Sequence, residues 1–200
     1  NLAEKVVLNN IYENLTIDSI QFDYYKKQYQ EIERLHIELY KIGLKNEILD
    51  SISEPSLIRR TLHFKQLIGS DFKENSQELN NSKIREALIL YTGSIISMED
   101  IYLNGIVVII EQTLKPYLIE NELYNPENWF ELKDKTFSGY KFKETTGKNI
   151  IDESGLIALA KTNKFQQRLL QVNIKWNEFN ARLLTVIEEN DNLRKLIKSE

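Results

Sequence analysis

The sequence is short of several residue types, and each shortage excludes a class of protein. Its 200 residues include no cysteine, which excludes a disulfide framework, a thiol nucleophile and Cys-ligated zinc or iron–sulfur sites. Only 7 Gly and 3 Pro are present, and so few turn-forming residues disfavour a β-sandwich or barrel. The 26 basic residues do not exceed the 30 acidic ones, so the basic footprint of a nucleic-acid-binding protein is missing.

Long apolar runs and enzyme motifs are missing as well. The most apolar run, Gly105–Ile110, ends at Glu111 and falls short of the ~18 consecutive apolar residues of a membrane span. There is no glycine-rich phosphate loop, no Gly-x-Ser-x-Gly and no His-Glu-x-x-His. We therefore expect a protein that is not an enzyme and uses no cofactor. Because the chain begins at Asn1, we expect a fragment whose missing part held a signal peptide, a span or neither.

Helical periodicity dominates what is present. Apolar residues follow a 3-4 spacing from Leu2 to about Ile42 and from Asn163 to about Lys198, and heptads sustained over this length predict two very long helices. Gly43 is the expected weak point at the end of the first, with continuation as a frayed turn through Leu49 left open. Shorter helices are predicted from Ser53-Glu54-Pro55 to Ile68 and from Asn81 or Ser82 to about Leu114, with Ile101 to Ile110 apolar on most faces and Pro116 breaking or kinking the pattern. A wider stripe on the last helix predicts burial among several helices, and its members are Leu170, Ile174, Leu184 and Ile187.

These elements predict an all-α fold, with 42% hydrophobic residues to form its core. We expect a single domain over residues 1–200, an elongated antiparallel helical bundle with an irregular insertion at 121–154 that caps the distal end. The alternating Tyr140-Lys141-Phe142-Lys143 is compatible with a short hairpin there.

The 121–154 insertion also holds the candidate interaction residues, which are Trp129, Phe130, Tyr140 and Phe142. Exposed aromatic side chains on a long loop can anchor a partner or ligand. The alternative is that these side chains plug the open end of the bundle.

Polar residues on the long helices offer weaker candidates. Asp18 and Asn190 interrupt the apolar seams, either as a ligand or register site or, as we favour, because the seam reaches solvent there. Glu33 and His36 form a Glu-x-x-His pattern, but di-iron bundles need two such motifs. The other histidine, His63, has Arg60 at that spacing, so we expect no metal and interpret His36 as a bundle histidine.

Four stretches resemble an uncharacterised family of flavobacterial and related Bacteroidota proteins. They are Leu8–Leu15, Asn81–Leu88 with Tyr91, Lys115–Ile119 and Asn163–Leu170. Members of that family carry a short basic N-terminus, one membrane-spanning helix and a helical domain outside the cytoplasm. The resemblance implies a periplasmic domain anchored to the inner membrane through a segment absent from this fragment, and it supplies no catalytic residues.

Three functional hypotheses follow. The preferred one is a non-enzymatic extracytoplasmic interaction or sensing domain that binds an unknown protein or a small ligand but no nucleic acid, with a homodimer left open. The first alternative is a soluble cytosolic coiled-coil adaptor. The second is a helical hydrolase or metal enzyme, which a buried cleft lined by His36 and several carboxylates would support.

Overall fold

The fold of the described residues is all-α, as the sequence predicts. A computed structural model describes residues 2–62, 79–128 and 150–200, and no strand occurs within these ranges. An isolated antiparallel bridge joins Tyr124 to Ile151. The predicted hairpin lies outside the described residues. The helices are α1 (Leu2–Leu44), a 3-10 helix (Pro55–Arg59), α2 (Ser82–Asp100), α3 (Lys115–Glu120), α4 (Glu153–Ala160) and α5 (Asn163–Lys198).

Helix α1 ends beyond the expected glycine. Asn46 adopts a left-handed backbone (φ 53°), which asparagine tolerates better than most residues. This reversal lets the Glu47 N–H donate to the Lys41 carbonyl (3.2 Å). Asn46 therefore terminates the helix, and Gly43 lies inside it.

The prediction of a second helix is wrong over residues 53–62, the part of it that the structure describes. Only a 3-10 turn forms, and Arg60 is extended (φ −67°, ψ 132°). Ser53 does not cap the turn, because its backbone N–H and its hydroxyl both donate to the Glu38 carboxylate (2.6 and 3.0 Å). Burial of Leu57 and Ile58 fixes this segment more than its helical propensity does.

Helix α2 begins as predicted, and the helical segment that it opens continues to Glu120, beyond the predicted end at Leu114. The Asn81 side chain accepts hydrogen bonds from the Lys83 and Ile84 N–H groups (3.0 and 3.3 Å), an N-cap. Two π-helical stretches, Ile101–Val107 and Ile110–Leu114, connect α2 to α3. Pro116 does not end the helix, and it lies in the first turn of α3, directly after the π-helical stretch Ile110–Leu114.

The continuous helix Ser82–Glu120 is long and apolar enough, by length and composition, to cross a membrane. Its most apolar 18-residue window has a mean hydropathy of 1.5, and 28% of that window is buried. Leu103 is half-exposed and Val108 is more than one-third exposed, so the apolar stretch Ile101 to Ile110 is not buried on every face. Core helices of soluble proteins also have such windows.

Two compact units are distinguished by their internal contacts. Unit 1 comprises Asn1–Tyr29, Leu62–Ile106 and Lys175–Glu200, and unit 2 comprises Gln30–Thr61 and Val107–Ile174. The single bundle domain predicted from the sequence stays a prediction.

In unit 1, segments of three helices meet around Phe179. The Phe179 ring lies 6.4 Å from that of Tyr25, 5.8 Å from that of Tyr102 and 5.9 Å from that of Trp176, centroid to centroid. All of these side chains are buried, and tilted or edge-on aromatic pairs of this kind stabilise a core beyond their buried area. The Tyr102 hydroxyl donates to the Leu62 carbonyl (2.6 Å), so its polar end is also satisfied.

In unit 2, a short helix that the sequence analysis missed precedes α5. Helix α4 is capped by Asp152, whose carboxylate accepts a hydrogen bond from the Gly155 N–H (2.7 Å). The predicted insertion was extended to Ser154 and therefore overlapped the start of this helix. Helix α5 has the predicted bounds, with the Thr162 hydroxyl accepting from the Phe165 N–H (3.3 Å).

Candidate functional site

A cleft of about 500 Å³ lies between α1 and α5 in unit 2. Its volume falls within the range of about 300–1,000 Å³ that small-molecule sites occupy. Helix α1 contributes His36, Ile37, Tyr40 and Leu44, and helix α5 contributes Asn163, Gln166, Gln167, Leu169, Leu170 and Asn173. On each helix the residues recur at three- and four-residue spacing, which places them on one face.

Among the described residues that line the cleft, none has a charged side chain. The walls combine aliphatic and tyrosine side chains with four carboxamides and one imidazole. Tyr40, Leu44 and Leu170 are 42%, 51% and 58% exposed, so the apolar rim is open to solvent. Exposed apolar side chains around a concave surface are typical of a binding site.

His36 is the most unusual residue of this wall. It is buried, and burial lowers the pKa of its imidazole from 6.5 to about 4, so the ring is neutral at pH 7. The Asn173 Nδ2–H group donates to Nδ1 (3.2 Å), which leaves the ring proton on Nε2. Within the described ranges, Nε2 has no hydrogen-bond partner. Buried polar groups are normally paired, so this N–H is a donor without an acceptor.

The floor of the cleft is fixed by Gln166. Its side-chain amide donates to the Leu39 carbonyl (3.0 Å) and to the Ala160 carbonyl (2.6 Å), which ties α1 to the end of α4. Gly43 makes this approach possible, since a Cβ there would lie 2.2 Å from the Ala160 oxygen and 2.2 Å from the Gln166 amide nitrogen. The expected weak point of α1 is therefore a close packing contact.

The cleft does not have the composition of a metal or acid–base site. His36 lines it, but no carboxylate of the described residues does, so these residues do not form the arrangement that would support a metal enzyme. Among the residues the structure describes, no group of three or more His, Cys, Asp or Glu is placed to hold a metal ion. The arrangement can bind an uncharged molecule, and it offers one imidazole and several amides for hydrogen bonds.

A second polar cluster lies in unit 1 and joins Asp18, Tyr91 and Asn190. The Tyr91 hydroxyl donates to the Asp18 carboxylate (2.8 Å), and the Asn190 amide donates to the Tyr91 oxygen (3.0 Å) and to the Leu15 carbonyl (2.9 Å). Burial, with a further contribution from Asp18, raises the pKa of Tyr91. Asp18 and Asn190 are both 1% exposed, so the favoured interpretation that the seam reaches solvent is wrong.

The predicted interaction residues cannot be compared with this site. Trp129, Phe130, Tyr140 and Phe142 lie outside the described residues, and their role stays a prediction. Of the cleft residues, His36 is the candidate that the sequence pattern offers, through its Glu-x-x-His spacing from Glu33, and for a different chemistry. Leu170 belongs to the wide apolar stripe of α5, and that stripe was a sequence signal for the cleft. The stripe was interpreted as buried, which is wrong for Leu170, because this side chain is exposed and lines the cleft.

Comparison with protein families, curated proteins and solved structures finds no match to this chain. Only the residues that line the cleft therefore indicate what it can bind.

Proposed function

We propose that this chain is a non-enzymatic helical domain with an interaction or sensing role, and that a ligand binds in the cleft between α1 and α5. The observation that supports this function is the uncharged, largely apolar cleft with the unpartnered His36 N–H in its wall. A ligand that wedges between two long helices would shift one against the other, which is a common way to convert binding into a signal.

The rim of the cleft provides the apolar contact that such binding needs. Covering a half-exposed leucine such as Leu44 or Leu170 would contribute roughly 0.8 to 1.5 kcal/mol, half the value for burying the whole side chain. Two or three contacts of this size contribute roughly 2 to 4 kcal/mol, which the entropy of association offsets, so binding also needs contacts deeper in the cleft.

A fluorescence titration tests the cleft. The neutral apolar dye N-phenyl-1-naphthylamine should bind the wild-type protein with increased emission, and Leu170→Asp should weaken that binding because it places a charge on the apolar rim. Leu184→Asp is the matched control, since Leu184 is on the same helix and 46% exposed but does not line the cleft. Equal effects of the two substitutions would contradict binding in this cleft.

The proposal includes a location outside the cytoplasm, in the periplasm, with an anchor in the inner membrane. The resemblance of four stretches to a family of single-span proteins supports it. The apolar helix Ser82–Glu120 is weakly compatible with membrane attachment. Fractionation of cells that express the full-length protein tests this part, since the protein should sediment with membranes and be released by detergent. Recovery in the soluble fraction would contradict the membrane anchor, but it would not bear on ligand binding in the cleft.

A further inference from the structure

The chemistry of the cleft wall selects among ligands. We infer that the cleft takes an uncharged, mostly aliphatic molecule with a carbonyl oxygen, and that this oxygen accepts a hydrogen bond from the His36 Nε2–H group. The inference rests on the proposed function, because it names the ligand class of the same cleft.

The hydrogen-bond pattern of His36 requires an acceptor. Asn173 supplies a donor to Nδ1, so the neutral ring can offer only a proton at Nε2. That nitrogen has no partner in the part of the chain that the structure describes. A carbonyl oxygen accepts without bringing a proton of its own, and it would therefore complete the hydrogen bonding of the imidazole.

The lining residues that the structure describes carry no charge, and this disfavours ionic ligands. A carboxylate or an ammonium group that entered the cleft would lose hydration, and no described lining side chain has the opposite charge to compensate. The imidazole does not supply that charge at pH 7, because burial keeps it neutral. The aliphatic side chains favour a hydrocarbon body on either side of the carbonyl.

A ligand reaches Nε2 only if side chains around the imidazole move, because the nitrogen has essentially no solvent exposure. Tyr40 and Leu170 line the same cleft and are 42% and 58% exposed. Exposed side chains change rotamer on the picosecond to nanosecond timescale, so we expect these two to adjust when a ligand enters.

Nuclear magnetic resonance can observe the proposed hydrogen bond directly. The chain has only two histidines, so His63→Gln leaves His36 as the single ring to be labelled with ¹⁵N. Saturating dibutyl ketone should move the Nε2–H proton resonance downfield, and nonane should not. A ketone that binds without moving this resonance would overturn the inference, even if the cleft is occupied.

Calorimetry of His36→Leu supplies the second test. Loss of one neutral hydrogen bond should weaken ketone binding about two- to tenfold and change nonane binding by less than about twofold. Gln167→Leu is the matched control, because it removes an exposed amide from the same cleft and should change ketone affinity by less than about twofold. A larger effect at Gln167 than at His36 would overturn the assignment of the donor.

Charged analogues separate this inference from the proposed function. Nonanoate and nonylammonium should bind at least about tenfold more weakly than the ketone. If all four compounds bind equally well and Leu170→Asp weakens each of them, the cleft is a binding site but the ligand class is wrong. If none binds and the dye titration is also negative, the proposed function fails, and the ligand class fails with it.

Discussion

Acidification should destabilise the folded protein through His36. The imidazole has a pKa of about 4 in the fold and 6.5 when exposed, so in the interval between these values the unfolded chain binds a proton that the folded chain does not. Protonation therefore favours unfolding, and stability is lost as the pH falls. The contribution of His36 is fully present above about pH 6.5.

The size of the effect follows from the two pKa values. Each pH unit between about 6.5 and 4 costs about 1.4 kcal/mol, so the loss reaches about 3 kcal/mol by pH 4. The whole side chain is buried, so solvent screening does not reduce this figure. A loss of this size is a large part of the 5–15 kcal/mol that typically holds a domain together.

Urea denaturation at a series of pH values, with wild type and His36→Leu compared, measures the contribution. Carboxylates also titrate in this range, but they do so in both proteins, and the difference between the two free energies of unfolding isolates the imidazole. The wild type should lose about 3 kcal/mol relative to the variant between pH 7 and pH 4. A constant difference, or a His36 ring that titrates near pH 6.5 in nuclear magnetic resonance, would refute the argument.

Two pairs of substitutions test the packing. Gly43→Ala should destabilise the fold by about 1–3 kcal/mol, because the new Cβ would lie 2.2 Å from a backbone carbonyl oxygen and from a glutamine amide, whereas Gly93→Ala, which meets nothing within 4 Å, should stabilise it by up to about 1 kcal/mol. The midpoints of urea denaturation measure both changes in stability. If Gly43→Ala stabilised the protein, the close approach of Ala160 and Gln166 to Gly43 would be contradicted. Tyr91→Phe should cost about 1–3 kcal/mol because it removes a donor from the buried Asp18 carboxylate, and Tyr24→Phe, at a 42% exposed position, should change the free energy of unfolding by less than about 0.5 kcal/mol. Equal losses in the two tyrosine variants would contradict the importance of the buried hydrogen bond.

The sequence predicted a helix correctly where residues close to one another in the chain are enough to form it. The heptad pattern gave α1 and α5 because an apolar stripe of this period can be buried only by a helix. Asn81 marked the start of α2 because its side chain caps N–H groups two and three residues ahead. The same capping and propensity rules failed where a residue further away in the chain offers a competing hydrogen bond. Ser53 could cap a helix but is bound by Glu38.

Most of the candidate site could not be predicted from the sequence. His36 was noticed only through its spacing from Glu33, a pattern that suggests metal chemistry. Its actual environment depends on Asn173, which is 137 residues further along the chain, and no pattern in the sequence pairs the two. Leu170 was recognised as apolar, but whether an apolar side chain packs in a core or lines an open cleft depends on what lies opposite.

The sequence by itself determined that the chain is helical, where its longest helices lie and which face of each carries the apolar stripe. Those properties depend on residues within a few turns of one another, and periodicity records them directly. The tertiary structure alone decided that Gly43 permits a close approach, that Asp18 and Asn190 are buried, and that the His36 N–H has no acceptor among the described residues. Each of these depends on which groups a fold brings together from distant parts of the chain, and that is a property of packing rather than of sequence spacing.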